Sequence, residues 1–346
     1  MDWLAFDIGG ANLKVANGTG YAAHRGFPLW REPRRLAAEL RTMIAEAPPS
    51  DRLVVTMTGE LADCFETKAD GVQFILQAVG EAADGRHTRV YRLDGRLVAP
   101  AIAAREPLSV AAANWHVLAS FARRFAPRGR ALLIDIGSTT SDFVPLLDGE
   151  LAATGRTDTE RLMAGELVYS GISRTPVCGL VDTLPYRQRD CPVMLELFAT
   201  TKDVYVLTGE LEEDPADIDT ADHRPAIKRA ARMRFSRMIG ADASQVNMRD
   251  AVLMAQAVAE AQVARLGAAV RSIVERLGGE PETVILSGEG EFLAKRVLTA
   301  LDLQPTIVSL AQRLGGSVSK AAPAHALAVL ARENTASGEL PRSTIR

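Results

Sequence analysis

Apolar and polar positions follow two rhythms along this chain. Short aliphatic runs such as WLAFDIGG (3–10), RLVVTMTGE (52–60) and TIVSL (306–310) predict strands ending at turns. RVYRLDGRLV (89–98) predicts a hairpin around Asp94-Gly95. Between the first two strands, PRRLAAELRTMIAEA (33–47) puts Leu36, Leu40, Met43, Ile44 and Ala47 on one helical face. SVAAANWHVLASFARRFA (109–126) predicts another helix, with Ser109 as its N-cap, and Pro127-Arg128-Gly129 then breaks the pattern.

The pattern restarts after that break. ALLIDIGSTTSDFVPLLDGEL (131–151) predicts two strands joined at Gly-Ser-Thr-Thr and closed by Asp148-Gly149. Residues 248–279 predict one long alanine-rich helix or two, ending at Gly278-Gly279. ETVILSGEGEFLAKRVLTAL (282–301) predicts strand, glycine turn and helix, and APAHALAVLARE a last helix. Alternating strands and helices predict an α/β architecture in two domains, 1–126 and 127–332. The second would carry an irregular insert at about 152–245, and residues 333–346 would form a mobile polar tail.

Composition narrows the function little. A chain of 346 residues, 47% hydrophobic and 24% charged, can bury a sizeable core. A net charge of -3 gives no general attraction to nucleic acid or an anionic membrane. The apolar runs are too short and interrupted to span a bilayer, and no basic-then-apolar leader opens the chain. Three scattered cysteines (Cys64, Cys178, Cys191) and five histidines without metal-ligand spacing predict reduced thiols in a cytoplasmic protein.

The chemistry lies in a duplication. LAFDIGGANLKVA (4–16) and LLIDIGSTTSDFVPL (132–146) each deliver an Asp to a strand end, followed by glycine and small polar residues. Such a turn brings successive N–H groups close to an anion, and its Asp can hold a Mg²⁺ water or take a proton. One copy alone is a strand end; two copies predict a clamp on an oligophosphate.

These paired turns resemble the two phosphate loops of the actin-like ATPase superfamily, which includes sugar kinases, Hsp70, hydantoinases and oxoprolinases. TVILSGEGEFLA (283–294) is similar to its third element, the turn that usually faces adenosine. The resemblance implies two ribonuclease-H-like domains around a central cleft. Further stretches, VVTMTGELADCFETKADGV (54–72), AAANWHVLA (111–119), YSGISRTPVCGL (169–180) and TADHRPAIKRAARMRFSRMIGAD (220–242), resemble the hydantoinase-like family of the tetrahydromethanopterin-linked C1 pathway. That resemblance runs from residue 1 to about 332. It implies a transferase joining an aminomethylfuran-methyl diphosphate to the phenol of a tyramine or tyrosine derivative. The product would be the phenoxymethyl-furan ether of methanofuran or methylofuran, with release of diphosphate. Mg²⁺ would be required and ATP would not. An ATP-dependent small-molecule kinase and a non-catalytic nucleotide-binding module are the alternatives on the same fold, and a homo-oligomer is left open.

Site expectations follow. Asp7 and Asp135 would hold Mg²⁺; Gly9, Gly10, Ala11 and Asn12 would line the first loop, and Gly137, Ser138, Thr139 and Thr140 the second. Lys14 would reach a phosphate, with a solvated strand lysine as the alternative. Glu60 is the favoured proton acceptor for the phenol, against a helix-start carboxylate, and Asp142 and Asp7 are its rivals. Asn114 and Trp115 would offer an amide and a ring to substrate, against a core tryptophan. Arg174 and Thr175 would contact a carboxylate or diphosphate, and Lys202, Asp203, Asp222 and Arg224 would flank an insert recognising an amine. Ser287, Gly288 and Glu289 occupy the third turn, where Glu289 and Glu291 would favour a cationic aminomethyl group over a nucleotide.

Overall fold

A computed structural model describes residues 2–337. Its N-terminal sheet is built from β1 (Trp3–Ile8), β2 (Asn12–Ala16), β3 (Ala22–Gly26), β4 (Arg52–Met57), β5 (His87–Tyr91) and β6 (Leu97–Val98). Helices α1 (Leu36–Glu46), α2 (Lys68–Ala83), α3 (Pro100–Arg105) and α4 (Asn114–Ala122) complete that half. The C-terminal half has β7 (Arg130–Ile136), β8 (Ser141–Leu147), β9 (Glu150–Leu151), β10 (Leu167–Val168), a separate hairpin of β11 (Thr183–Tyr186) and β12 (Arg189–Pro192), β13 (Thr283–Ser287) and β14 (Thr306–Ser309). Its helices are α5 (Asp158–Met163), α6 (Thr201–Thr208), α7 (Lys228–Met238), α8 (Met248–Arg276), α9 (Glu291–Ala300), α10 (Leu310–Leu314), α11 (Gly316–Lys320) and α12 (Ala322–Ser337).

The two large sheets repeat one topology. The first runs β3-β2-β1-β4-β5-β6 and the second β10-β8-β7-β13-β14, with β9 paired to β8. In each, an antiparallel hairpin is followed by two parallel strands: β4 beside β1 and then β5 beside β4, β13 beside β7 and then β14 beside β13. This duplicated arrangement is the actin-like ATPase fold.

Strand alternation explains where the acids go. On β1, Leu4, Phe6 and Ile8 enter an outer core with α1 and α2, while Trp3 and Ala5 enter a central core. On β7, Leu132, Ile134 and Ile136 face the outer core of the second half, while Ala131 and Leu133 join the same central core. The next inward position is Asp7 on one sheet and Asp135 on the other. The central core, filled by α4 and α12, therefore ends in a polar layer between facing sheets. The C-terminal helix α12 crosses back onto the first half, where the Trp3 indole N–H donates to Thr335 Oγ1 at 3.1 Å.

Two expectations about the elements change, one open alternative settles and one hairpin is new. Helix α4 starts at Asn114, after Ala112 in the left-handed region (φ 48°), so Ser109 is not its cap. The hairpin β11–β12 was not expected, and residues 248–276 form one helix, α8, capped by Asn247. Of the tail expected from residue 333, residues 333–337 continue α12 and 338–346 lie outside the described residues. Among the described residues no helix is long and apolar enough to cross a membrane.

Candidate active site

The two Asp-Ile-Gly turns have the same hydrogen-bond plan. Gly9 N–H donates to the Asn12 carbonyl at 3.0 Å, and Gly137 N–H to the Thr140 carbonyl at 2.9 Å. A strap then takes the carbonyls of each turn. Phe27 and Leu29 donate to Ala11 and Gly10, while Ile172, Ser173 and Arg174 donate to Gly137 and Ser138. The N–H groups of Gly10, Ala11, Ser138 and Thr139 have no backbone acceptor among the described residues. Carbonyls tied behind and amides free in front make a concave donor surface suited to an anion. The turns face each other, with Asn12 Nδ2 3.3 Å from Ser138 Oγ.

The second strap tolerates no side chain at Gly171, where a Cβ would sit 2.5 Å from Gly137 O and from Thr139 N. Its carbonyl accepts from Thr201 Oγ1 (2.8 Å) and from the buried Gln262 Nε2 (2.9 Å). Gly171→Ala should therefore lower stability by about 1–3 kcal/mol, measured by urea unfolding; an unchanged midpoint would mean that the strap yields freely.

Register places the polar layer at the base of the cleft. Asp7 lies opposite Lys14 on β2 and beside Thr56 on β4; Asp135 lies opposite Asp142 on β8 and beside Ser287 on β13. Lys14 Nζ is 3.7 Å from Asp7 Oδ2. Burial opposes its charge, but attraction from Asp7, Asp135, Glu289 and Asp142 holds its pKa above the ordinary value. Burial raises Asp7 against the pull of Lys14, and raises Asp135 to about 6 against the same pull, with Asp142 adding to the rise. The third turn closes this base from behind. Gly288, at φ 84°, has no room for a Cβ, which would be 2.3 Å from Ile136 O and 2.8 Å from Asp135 Oδ1.

Glu60 stands beside the first loop. It sits in a single 3₁₀ turn after β4, and the preceding Gly59 packs on Gly9 so closely that a Cβ would be 3.2 Å from its carbonyl. Glu60 is 1% exposed, and among the described residues no group reaches full hydrogen-bond geometry with either carboxylate oxygen. Burial pushes its pKa up to about 7, with nearby Asp158 adding to the rise and the Glu60 and Ala112 amides and Lys68 opposing it. Lys68 of α2 meets Asp158 of α5 at 2.8 Å, an ion pair that joins the two halves.

Other expected contacts resolve differently. Asp142 is held by the buried Arg161 Nη1 at 2.7 Å, so its carboxylate is already engaged. Arg161 also donates to Glu166 O at 2.9 Å and lies 4.2 Å over the Trp115 ring. Trp115, 5% exposed, is thus a core residue supporting Arg161, not a ring offered to substrate; Asn114 Oδ1 accepts from the Trp115 backbone N–H. Thr175 is buried and holds Gly171 N–H at 3.0 Å. Arg234, fully buried, binds Asp203 and Asp222, and Arg224 lies 3.8 Å from Asp222. Lys202 is spent on Asp217 at 2.7 Å. The insert residues thus form a folding network, because a buried guanidinium requires paired carboxylates. Glu291 accepts from Ser309 Oγ and Ala311 N, while Glu289 pairs with Lys320 at 3.4 Å. Sequence reasoning missed Arg161 and Trp30; the latter's ring, on the first strap, meets Arg174 of the second at 4.6 Å. A surface depression of about 450 Å³ lined by Ser120, Arg123, Arg124, Asp148 and Glu333 contains none of these groups.

The comparisons agree with this architecture. A protein from Methanocaldococcus jannaschii described as (4-{4-[2-(γ-L-glutamylamino)ethyl]phenoxymethyl}furan-2-yl)methanamine synthase is 32% identical over 330 residues, covering 94% of this chain and 96% of its own. A protein of the same description from Methanococcus vannielii is 31% identical over 214 residues, 61% of this chain and 95% of its own. Among solved structures, a chain of the PilM–PilN type IV pilus biogenesis complex superposes with a TM-score of 0.52 at 14% identity, covering 95% of this chain and 98% of that one. The family model for hydantoinase/oxoprolinase matches residues 51–334, which include Glu60, the second turn, its strap and the third turn. On this match and the near full-length relative, the chain belongs to the hydantoinase/oxoprolinase family.

Proposed function

We propose that this chain is a transferase that makes an aryl ether, joining the furan methylene of an aminomethylfuran-methyl diphosphate to a phenol and releasing diphosphate. The observation that carries the reading is the facing pair of strapped turns with free amides around Lys14, next to a buried carboxylate that no group among the described residues meets in full hydrogen-bond geometry. The relatives' described product contains this ether, with the phenol belonging to a γ-glutamylated tyramine. For this chain the acceptor is tyramine, tyrosine or the glutamylated form, serving methanofuran or methylofuran.

A furan stabilises positive charge on its methylene, so the carbon–oxygen bond to diphosphate breaks readily once the leaving charge is met. The free amides of the two turns and the Lys14 ammonium are placed to receive that charge without reorganisation. The residues also fit Mg²⁺: Asp7 Oδ1 is buried with no partner among the described residues, and Asp135 lies within electrostatic reach of it on the other sheet. Among the described residues no group of three His, Cys, Asp or Glu is arranged to hold a metal. Two carboxylates would leave the remaining positions of such an ion to phosphate oxygens and water. Bound Mg²⁺ would add Lewis-acid neutralisation of the departing diphosphate. Glu60, with its pKa near 7, takes the phenol proton, since a free phenol of pKa about 10 is a poor nucleophile at neutral pH.

The test supplies the furan-methyl diphosphate with Mg²⁺ and each phenolic amine in turn, with and without ATP, and follows diphosphate and ether. Release that needs the phenol and ignores ATP is the expected result. ATP cleavage with no ether from any phenol would remove the transferase and favour a kinase.

A further inference from the structure

The two straps that hold the turns touch through one pair. Trp30 directly follows Leu29, whose N–H ties the first turn, and Arg174 donates its own N–H to Ser138 of the second. The Arg174 guanidinium lies 4.6 Å over the Trp30 ring. Both side chains are partly exposed, whereas Trp3 and Trp115 are buried. Arg174 also lies within electrostatic reach of Tyr169, which is 62% exposed. A cation and two aromatic rings therefore sit at the mouth of the cleft, beside a turn with free amides.

We propose that Arg174 orders substrate binding: a diphosphate on the second turn draws its guanidinium off Trp30, and the bared indole face then seats the phenol ring. This rests on the diphosphate reading above. A guanidinium over a ring in contact with solvent is held weakly, whereas a guanidinium on a phosphate makes paired, charge-assisted hydrogen bonds. The stronger partner wins once it is present. Arg174 is anchored at its backbone to the second turn, so its side chain need only swing, not travel. A bared indole offers a flat apolar face to an aromatic acceptor, and stacking suits a phenol better than its amine tail. Before the diphosphate arrives, the same face is covered, and the acceptor has no platform.

The experiment follows tryptophan emission of the full chain during titration with inorganic pyrophosphate and Mg²⁺, with calorimetry in parallel. Wild type should show a saturable emission change that Trp30→Phe loses, while Trp30→Phe keeps the same pyrophosphate Kd. Arg174→Ala should start at the liganded emission level, show no further change, and bind pyrophosphate about tenfold or more weakly. Arg174→Lys should recover part of the affinity that Arg174→Ala loses. In turnover, Trp30→Ala should raise KM for the phenol with kcat nearly unchanged. Pyrophosphate binding by calorimetry without any Trp30 signal would overturn the inference alone. An emission change that persists in Arg174→Ala would reduce the pair to a latch between the halves. No pyrophosphate binding at all would overturn both the inference and the clamp on which it rests.

Discussion

Asp135→Asn should leave the circular dichroism spectrum unchanged and slow turnover by about a thousandfold or more, the scale at which enzymes lose preorganised charge at a reacting centre. Asparagine preserves the volume at the end of β7, where the third turn packs against the Asp135 carboxylate, so the backbone there has no reason to move. The negative charge is what disappears, and with it one of the groups that keeps Lys14 cationic. The stability consequence has a definite sign. Burial raises Asp135 to about 6, so the folded protein holds the proton more tightly than the unfolded chain. That contribution is present below the ordinary pKa of 3.8 and is lost as pH rises through 6. At pH 8 the neutral asparagine should melt no lower than wild type. An active Asp135→Asn enzyme would remove the acid from the clamp, and a marked loss of stability would show that its charge serves the fold.

Glu60→Gln carries the second large effect, a loss of roughly 10²–10⁴ in kcat, the range for removal of a positioned base. Wild-type rate should rise with pH through about 7 as Glu60 ionises, and the variant's residual rate should lack that step. Here too the folded pKa is raised, so Glu60 costs stability as pH climbs from 4.5 through 7. A change of that size corresponds to an upper value of roughly 3 kcal/mol at about 1.4 kcal/mol per tenfold. Thermal unfolding should therefore favour Glu60→Gln at pH 8 and show little difference at pH 4. A variant that keeps the pH step would assign the base to another group.

Much of this was legible in the residues. Inward alternation on WLAFD and ALLID sends two apolar residues and then an acid to the same side, and the chain does so twice. The duplicated sheet topology follows from those hairpins and the parallel strands after them. Glu60 was legible as a strand-end acid, but its isolation was not, because that depends on Gly59 and Gly71 bringing neighbouring backbone against it. Partnerships between distant residues stayed hidden. Arg161 lies in TDTERLM, inside the stretch expected to be an irregular insert, yet it is buried between Asp142 and the Trp115 ring. Those partners also explain why Trp115 and Asp142 serve the framework. The acidic insert misled for a related reason, since Asp203 and Asp222 close on Arg234 in three dimensions. Hairpin β11–β12 escaped notice because its turn puts Arg187 and Gln188 in the left-handed region, at φ 48° and 62°. Sequence signals for such turns are Asn and Gly.

The central claim is that the paired turns hold a leaving diphosphate and that the carbon–oxygen bond of the furan methylene is the one that breaks. An ¹⁸O label placed at the oxygen bridging that methylene and the diphosphate, followed by mass spectrometry after one turnover, tests it directly. All of the label should appear in released diphosphate, and none in a furan product. Label retained on a furan methanol would mean that the phosphorus–oxygen bond breaks instead, and would contradict the proposed ether synthesis in favour of phosphoryl transfer.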